Sequence, residues 1–340
     1  MSLTNSCRIA AISLLLAIAA ETQVPLQIYA IDVEGGQATL LVGPSRQSLL
    51  IDTGWPGFNG RDADRIVAAA KTAGLSKLDY VLITHFHRDH VGGVPQLAAK
   101  IDVGTFVDHG PNLEDSQVTR EDYAAYEKAV SSHQRLTVRP GDTLPIKDFG
   151  VLILTAAGNH ISSALPQVVR STPACGSEPR PKTDTTENSK SLGVLITYGK
   201  FKVLDLGDLT KDKELELVCP NNLIGTVNLF MVSHHGWNES NTKALLSAIQ
   251  PQAAIMNNGA RKGGSPDVWQ TVHDAVGVRF WQLHYSVEGG SQHNVDENYI
   301  ANPDEKNDHG RFLKVEARKD GSFRITNSRT NETVGYNLEK

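Results

Sequence analysis

The stretch Thr84-His85-Phe86-His87-Arg88-Asp89-His90 decides how the rest of this chain is read. It sets three imidazoles and one carboxylate within six residues, directly behind the apolar run Tyr80-Val81-Leu82-Ile83. Such a run predicts a buried strand, and Gly92-Gly93 breaks the pattern just beyond it. The four side chains therefore leave one strand end together. Neutral imidazole nitrogen and carboxylate oxygen are the donors that zinc and similar divalent ions take. A lone histidine is usually surface decoration or a hydrogen-bonded core residue. Four ligand-type residues at H-x-H-x-D-H spacing are a different matter, because packing gains nothing from them and burying them unpaired costs several kcal/mol.

Working outward, strands are expected over 26–31 and, as a hairpin around Gly43-Pro44-Ser45, over 38–42 and 48–51, ending at Asp52-Thr53-Gly54. A helix is expected over 61–73, the metal-bearing strand over 81–84, a helix over 94–100, a strand over 105–107 and a helix over 122–131. A strand over 151–155 leads into Ala156-Ala157-Gly158-Asn159-His160. Residues 162–190, rich in Pro, Ser, Thr and charge, read as a long surface loop. A hairpin over 192–197 and 201–206 delivers Gly207-Asp208, and a strand over 229–232 delivers Ser233-His234-His235-Gly236. Helices over 241–249 and 266–276, the latter with Ser265 as cap and Pro266 in its first turn, alternate with strands over 253–256 and 280–285. A closing hairpin spans 312–325. Two similar halves, each bringing polar residues to its strand ends, suggest two β-sheets face to face with helices outside.

Two ions ~3.5–4 Å apart need roughly seven ligand positions, one of them a shared carboxylate. The cluster supplies His85, His87, Asp89 and His90. Asp208 follows an apolar strand and a glycine, which makes it the candidate bridge. His160, His234 and His235 also follow predicted strands.

The 340 residues suit one large α/β domain or two ordinary ones, and the net charge of −5 comes with no basic run that would track phosphates. An extended nucleic-acid groove is therefore not expected. Arg8, the apolar run 9–20 and the small residues Ala17, Ala19 and Ala20 read as a signal peptide over 1–20, too short for a comfortable membrane span. Cleavage would remove Cys7, leave no stable membrane span, and leave one domain over 21–340, exported to the periplasm or the extracellular space. Cys175 and Cys219, the two remaining cysteines, are expected to form a disulfide there.

The order of these elements resembles the metallo-β-lactamase superfamily, most closely the hydrolase-like domain of the ComEC/Rec2 competence proteins. The resemblance is carried by Ile31-Asp32-Val33 with Gly36, Leu50-Ile51-Asp52-Thr53-Gly54, the H-x-H-x-D-H cluster with Val91-Gly92-Gly93, Glu187-Asn188-Ser189-Lys190-Ser191-Leu192, Leu206-Gly207-Asp208-Leu209, and Val232-Ser233-His234-His235-Gly236. It implies an α/β fold, the αββα four-layer sandwich. It further implies His85, His87, His160 and Asp208 on one ion, and Asp89, His90, Asp208 and His234 on the other, with His235 the alternative to His234. Asp52, with Thr84, would support ligands rather than bind metal. Two departures stand out. The branch carries Gly-x-Gly-Asp-Ala where this chain has Glu34-Gly35-Gly36-Gln37-Ala38, and Ser where it has Trp237. They leave the metal residues intact and bear on the substrate.

The chemistry implied is hydrolysis by a hydroxide bridging two divalent ions, zinc before manganese or iron, with Asp89 and Asp208 orienting it and taking up its proton. A phosphodiester or related phosphoester is the first substrate class, a small-molecule lactone or β-lactam ring the second, and a non-catalytic metal-dependent binding protein the third reading. His109, Trp237, Lys262 and His284, near strand ends or in loops, are the candidate substrate contacts.

Overall fold

The computed structural model describes residues 24–166, 175, 176, 179 and 181–336. The expected signal peptide lies outside the described residues, as do 167–174, 177, 178 and 180 of the expected surface loop.

Seventeen strands among the described residues form two sheets. The first contains β1 (Leu26–Ala30), β2 (Thr39–Val42), β3 (Ser48–Ile51), β4 (Lys77–Leu82), β5 (Asp102–Asp108) and β6 (Gln134–Thr137), joined by β15 (Leu313–Ala317), β16 (Phe323–Asn327) and β17 (Thr333–Tyr336). Its order is β17-β16-β15-β1-β2-β3-β4-β5-β6. The second contains β7 (Gly150–Ala156), β8 (Asn159–His160), β9 (Gly193–Tyr198), β10 (Phe201–Asp205), β11 (Leu229–Met231), β12 (Ala253–Met256), β13 (Phe280–His284) and β14 (Ile300–Asn302), in the order β14-β13-β12-β11-β10-β9-β7-β8. Strands β3 to β6 run parallel to one another, as do β10 to β14.

Side-chain alternation sorts each strand between two cores. Leu26, Ile28 and Ala30 of β1 enter a central core together with Val151, Val194, Val203, Leu229 and Met231 of the other sheet. Tyr29 and Ile31 point the other way, onto α1 (Arg61–Thr72), α3 (Val94–Ala98) and α4 (Gln117–Val130). Phe230 and Val232 likewise turn from the central core toward α5 (Lys211–Val218), α6 (Lys243–Ile249) and α7 (Pro266–Val276). Three apolar layers between four layers of secondary structure make the αββα sandwich expected from the sequence.

Several boundaries differ from the sequence reading. Helix α4 begins at Gln117 because the Ser116 hydroxyl accepts from the Thr119 amide, 3.1 Å away. Ser265 does occupy the position before α7, but its side chain caps nothing. Helix α5, with alternating charges and little apolar periodicity, was not expected. Cys175 and Cys219 are bonded, Cα to Cα 5.8 Å, and tie the segment before β9 to the end of α5.

Candidate metal centre

The polar groups gather where parallel strands end, the edge at which open α/β sheets place ligands. Asp52 follows β3 with φ of 60°, and its amide bonds the Leu82 carbonyl at 2.8 Å. His87 then opens α2 (Arg88–Val91), a single turn that reverses the chain and brings His90 back beside His85. The Thr53 amide and hydroxyl both donate to the His90 carbonyl at 2.8 Å. Gly93 is required here: a Cβ on it would stand 2.1 Å from the Thr53 oxygen.

Hydrogen bonds fix which nitrogen of each imidazole faces inward. Asp52 Oδ2 lies 2.7 Å from His90 Nδ1 and 2.7 Å from Thr84 Oγ1, and Asp52 Oδ1 accepts the Thr84 amide at 2.8 Å. His90 Nδ1 therefore donates, and Nε2 faces the interior of the site. Thr84 Oγ1 has given its proton to Asp52, so it accepts from His85 Nδ1 at 3.1 Å, leaving a lone pair on His85 Nε2. His87 Nε2 bonds Glu114 Oε2 at 2.9 Å, which leaves Nδ1 as its donor atom. Carboxylates that orient ligating histidines in this way are a standard feature of metal centres.

The second sheet closes the site. Asp208 follows β10, and its Oδ2 lies 3.2 Å from His90 Nε2, 3.4 Å from His235 Nε2, 3.5 Å from His234 Nε2 and 4.0 Å from His85 Nε2. His235 Nε2 is also 3.1 Å from Asp89 Oδ2 and 3.2 Å from His90 Nε2. Asp89, His90, Asp208 and His235 thus bring one donor atom each within 4.8 Å of the others. Of the two candidates for this set, it is the alternative, His235, whose ring nitrogen falls within the group, while His234 Nε2 approaches only Asp208 among its members. His234 and His235 both adopt left-handed backbone, φ 54°, so the chain coils tightly and their rings diverge, 6.1 Å apart and 70° between planes. The second ring turns to Asp89 and His90, while the first turns to Asn188 and Ser240.

Electrostatics match this arrangement. Burial opposes charge on His90, yet the carboxylates of Asp208, Asp89 and Asp52 hold it well above its ordinary pKa. Burial, then His90 and His87, push His85 well below its own. Burial likewise opposes ionisation of Asp89 and Asp208, but Lys262, His90 and His235 hold the first, and His90, His235 and His234 the second, well below the usual carboxylate range.

The family model of the metallo-beta-lactamase superfamily matches residues 31–256. The chain belongs to that superfamily. It is similar to ComE operon protein 3 of Bacillus subtilis, 25% identical over 67% of this chain and 28% of that protein. It is also similar to Recombination protein 2 of Haemophilus influenzae, 23% identical over 77% of this chain and 27% of that protein. The chain therefore spans little more than a quarter of the length of either relative. Among solved structures, the metallo-beta-lactamase fold protein YhfI of Bacillus subtilis is 13% identical with a TM-score of 0.44, covering 76% of this chain and 96% of that one.

The residues of this superfamily member fit divalent ions. His85 Nε2 and Asp208 Oδ1 are buried without any hydrogen-bond partner, and His90 Nε2 and His235 Nε2 face each other at 3.2 Å. A cation satisfies lone pairs that no donor reaches and neutralises carboxylates that burial would otherwise penalise.

Other expected residues stand elsewhere. His160 sits on the edge strand β8, its Nδ1 3.3 Å from Glu216 Oε2, so it is not brought to this centre as a third imidazole. His109 is buried behind Phe86 with Nε2 3.0 Å from Glu187 Oε2. His284 is buried with Nε2 2.7 Å from Asp32 Oδ1, where Arg65 bridges Asp32 and Asp308. Neither presents a free face to substrate, so both are corrected to supports of the scaffold. Lys262 and Trp237 do border the site. The Lys262 ammonium donates to Asp89 Oδ2 and to the Gly35 carbonyl, and lies 5.4 Å from the ring centres of both Trp55 and Trp237. Trp55, Glu114, Glu187 and Ser191 were not singled out from sequence. Trp55 directly follows the Asp-Thr-Gly turn and Glu187 and Ser191 lie in a motif already quoted, whereas Glu114 sits in a loop that carries no pattern.

Proposed function

We propose that the chain is an exported dinuclear hydrolase, a single domain over 21–340, acting on a phosphodiester or related phosphoester. Asp89, His90, Asp208 and His235 would hold one ion, and His85, His87 and Asp208 the other, with zinc favoured by the nitrogen-rich donors and manganese or iron also suited. The observation that carries this reading is Asp208, one carboxylate with four imidazole nitrogens within 4.0 Å of its Oδ2 and a buried Oδ1 without partner. Two ions, when bound, supply Lewis acidity that activates water and stabilises developing negative charge.

The chain's own groups do the rest. Asp52, Thr84 and Glu114 keep lone pairs of His85, His87 and His90 turned inward. Asp89, kept ionised by Lys262 and its histidine neighbours, accepts a hydrogen bond from the attacking water and orients it. Lys262, between Trp55 and Trp237, adds a cation at the rim, which suits an anionic ester. A relative named for recombination supports a phosphodiester. The N-terminal signal pattern and the Cys175–Cys219 bond support export.

The test is a substrate panel on the metal-loaded chain. Cleavage of bis-p-nitrophenyl phosphate, lost in Asp208→Ala together with bound metal, is the expected result. Opening of a lactone or β-lactam ring without phosphodiester cleavage would transfer the reading to ring hydrolysis. Metal retention with neither activity would make the chain a binding protein.

A further inference from the structure

We infer that the amide oxygen of Asn188 completes the ion site of His85 and His87, in the place where a third imidazole was expected. The inference rests on the dinuclear reading above. With His160 on the sheet edge, that ion has two imidazoles and one shared carboxylate. With water as its fourth donor, such an ion still accepts one more protein donor by expanding to five-coordinate.

The segment entering β9 is wrapped around this side of the site. Glu187 Oε2 accepts the Phe86 amide at 3.1 Å, and the Leu192 amide donates to the Thr84 carbonyl at 2.8 Å. Ser191 Oγ lies 3.4 Å from His85 Nδ1 and accepts the Asp208 amide at 3.3 Å. Asn188 is therefore held between residues that touch His85, its neighbour Phe86 and Asp208. Its Nδ2 donates to His234 Nε2 at 3.4 Å, and that same nitrogen is 3.5 Å from Asp208 Oδ2. The bond to His234 fixes the amide orientation. His234 Nδ1, in turn, is 3.4 Å from Ser240 Oγ, whose proton goes to the Leu209 carbonyl at 2.7 Å, so Nδ1 donates and Nε2 accepts.

Fixed in this way, Asn188 presents Oδ1, which is buried and without partner. Three buried acceptor atoms lacking partners, His85 Nε2, Asp208 Oδ1 and Asn188 Oδ1, thus belong to side chains grouped about one carboxylate. Leaving an acceptor buried and unmet is costly, and coordination to a divalent ion would relieve that cost. A neutral amide oxygen is a harder and weaker donor than imidazole. The two sites are consequently unequal: the one built on His235 binds tightly, and the one built on Asn188 binds more weakly and tolerates oxygen-loving ions such as Mn²⁺.

The experiment is metal titration of the full chain with Zn²⁺ and separately Mn²⁺, read by calorimetry and, for Mn²⁺, by electron paramagnetic resonance. The wild type should take up two ions in two steps. Asn188→Ala should keep the tight step and weaken the other by at least about 10-fold, the scale on which loss even of an outer-shell partner acts. Asn188→His should strengthen Zn²⁺ in that step. The retained tight step shows that each variant is folded. Two ions bound by Asn188→Ala with wild-type affinities would overturn the inference and leave the dinuclear reading standing. Loss of the second ion in His234→Ala, with Asn188→Ala unaffected, would overturn it in favour of His234. A wild type that binds fewer than two ions would overturn the dinuclear reading itself.

Discussion

Replacing Asp52 by Asn should cripple metal binding without moving the backbone. Asp52 is wholly buried with φ of 60°, a conformation Asn adopts at least as readily as Asp, so the exchange adds no strain. What it changes is hydrogen-bond polarity. Asp52 Oδ2 receives protons from both His90 Nδ1 and Thr84 Oγ1, each at 2.7 Å. If the Asn oxygen replaces Oδ1 and keeps the Thr84 amide, its NH₂ group faces those two donors. His90 then escapes the clash by moving its proton to Nε2, the atom turned toward Asp208 and His235. Thr84 must turn its proton elsewhere, which frees His85 to lose its own orientation. Loss of one outer-shell partner typically costs 10–100-fold in metal affinity. Asp52 steers two ligands, so the upper end is expected, about 100-fold or roughly 2.7 kcal/mol. A chromophoric chelator competed against the protein reads this directly, and circular dichroism of the chelated variant verifies folding. An affinity within threefold of wild type would refute the steering role.

Three further outcomes are expected. His160→Ala should retain wild-type metal content, measured by elemental analysis, because its imidazole faces Glu216 on an edge strand. Glu214 is buried beneath the start of α6, where it accepts the Asn241 and Thr242 amides at 2.7 Å, and burial raises its pKa from 4.5 to about 7. A carboxyl raised on folding withdraws stability as pH climbs from about 4.5 to 7; denaturant titrations should show this loss, up to about 3 kcal/mol, in the wild type and not in Glu214→Gln. Reduction of Cys175–Cys219, which closes a loop of sequence separation 44, should lower stability by about 4 kcal/mol, visible as a lower denaturation midpoint, while leaving bound metal in place.

The parts of the chain that were legible in advance are those with a strong local signature. The apolar strands with turn residues behind them were placed within a few positions, and the ligand types at H-x-H-x-D-H spacing announced the centre by themselves. What was hidden depends on direction rather than identity. Nothing local distinguishes His234 from His235, because the choice is made by two consecutive left-handed residues. His160 follows a strand as the clustered polar residues do, but its strand is the outermost of its sheet. His109 and His284 read as histidines near strand ends, yet each is drawn inward by a carboxylate 78 and 252 positions away. Such long-range pairings leave no periodic trace. Helix α5 was missed because its charged residues, including the buried Glu214, mask the amphipathic pattern.

The most direct measurement is anomalous diffraction from crystals of the zinc-loaded chain, recorded on both sides of the zinc absorption edge. Two peaks about 3.5–4 Å apart should flank the Asp208 carboxylate, one against His90 and His235, the other against His85 and His87. A single peak, or peaks with Asp208 bound to neither, would contradict a shared-carboxylate centre.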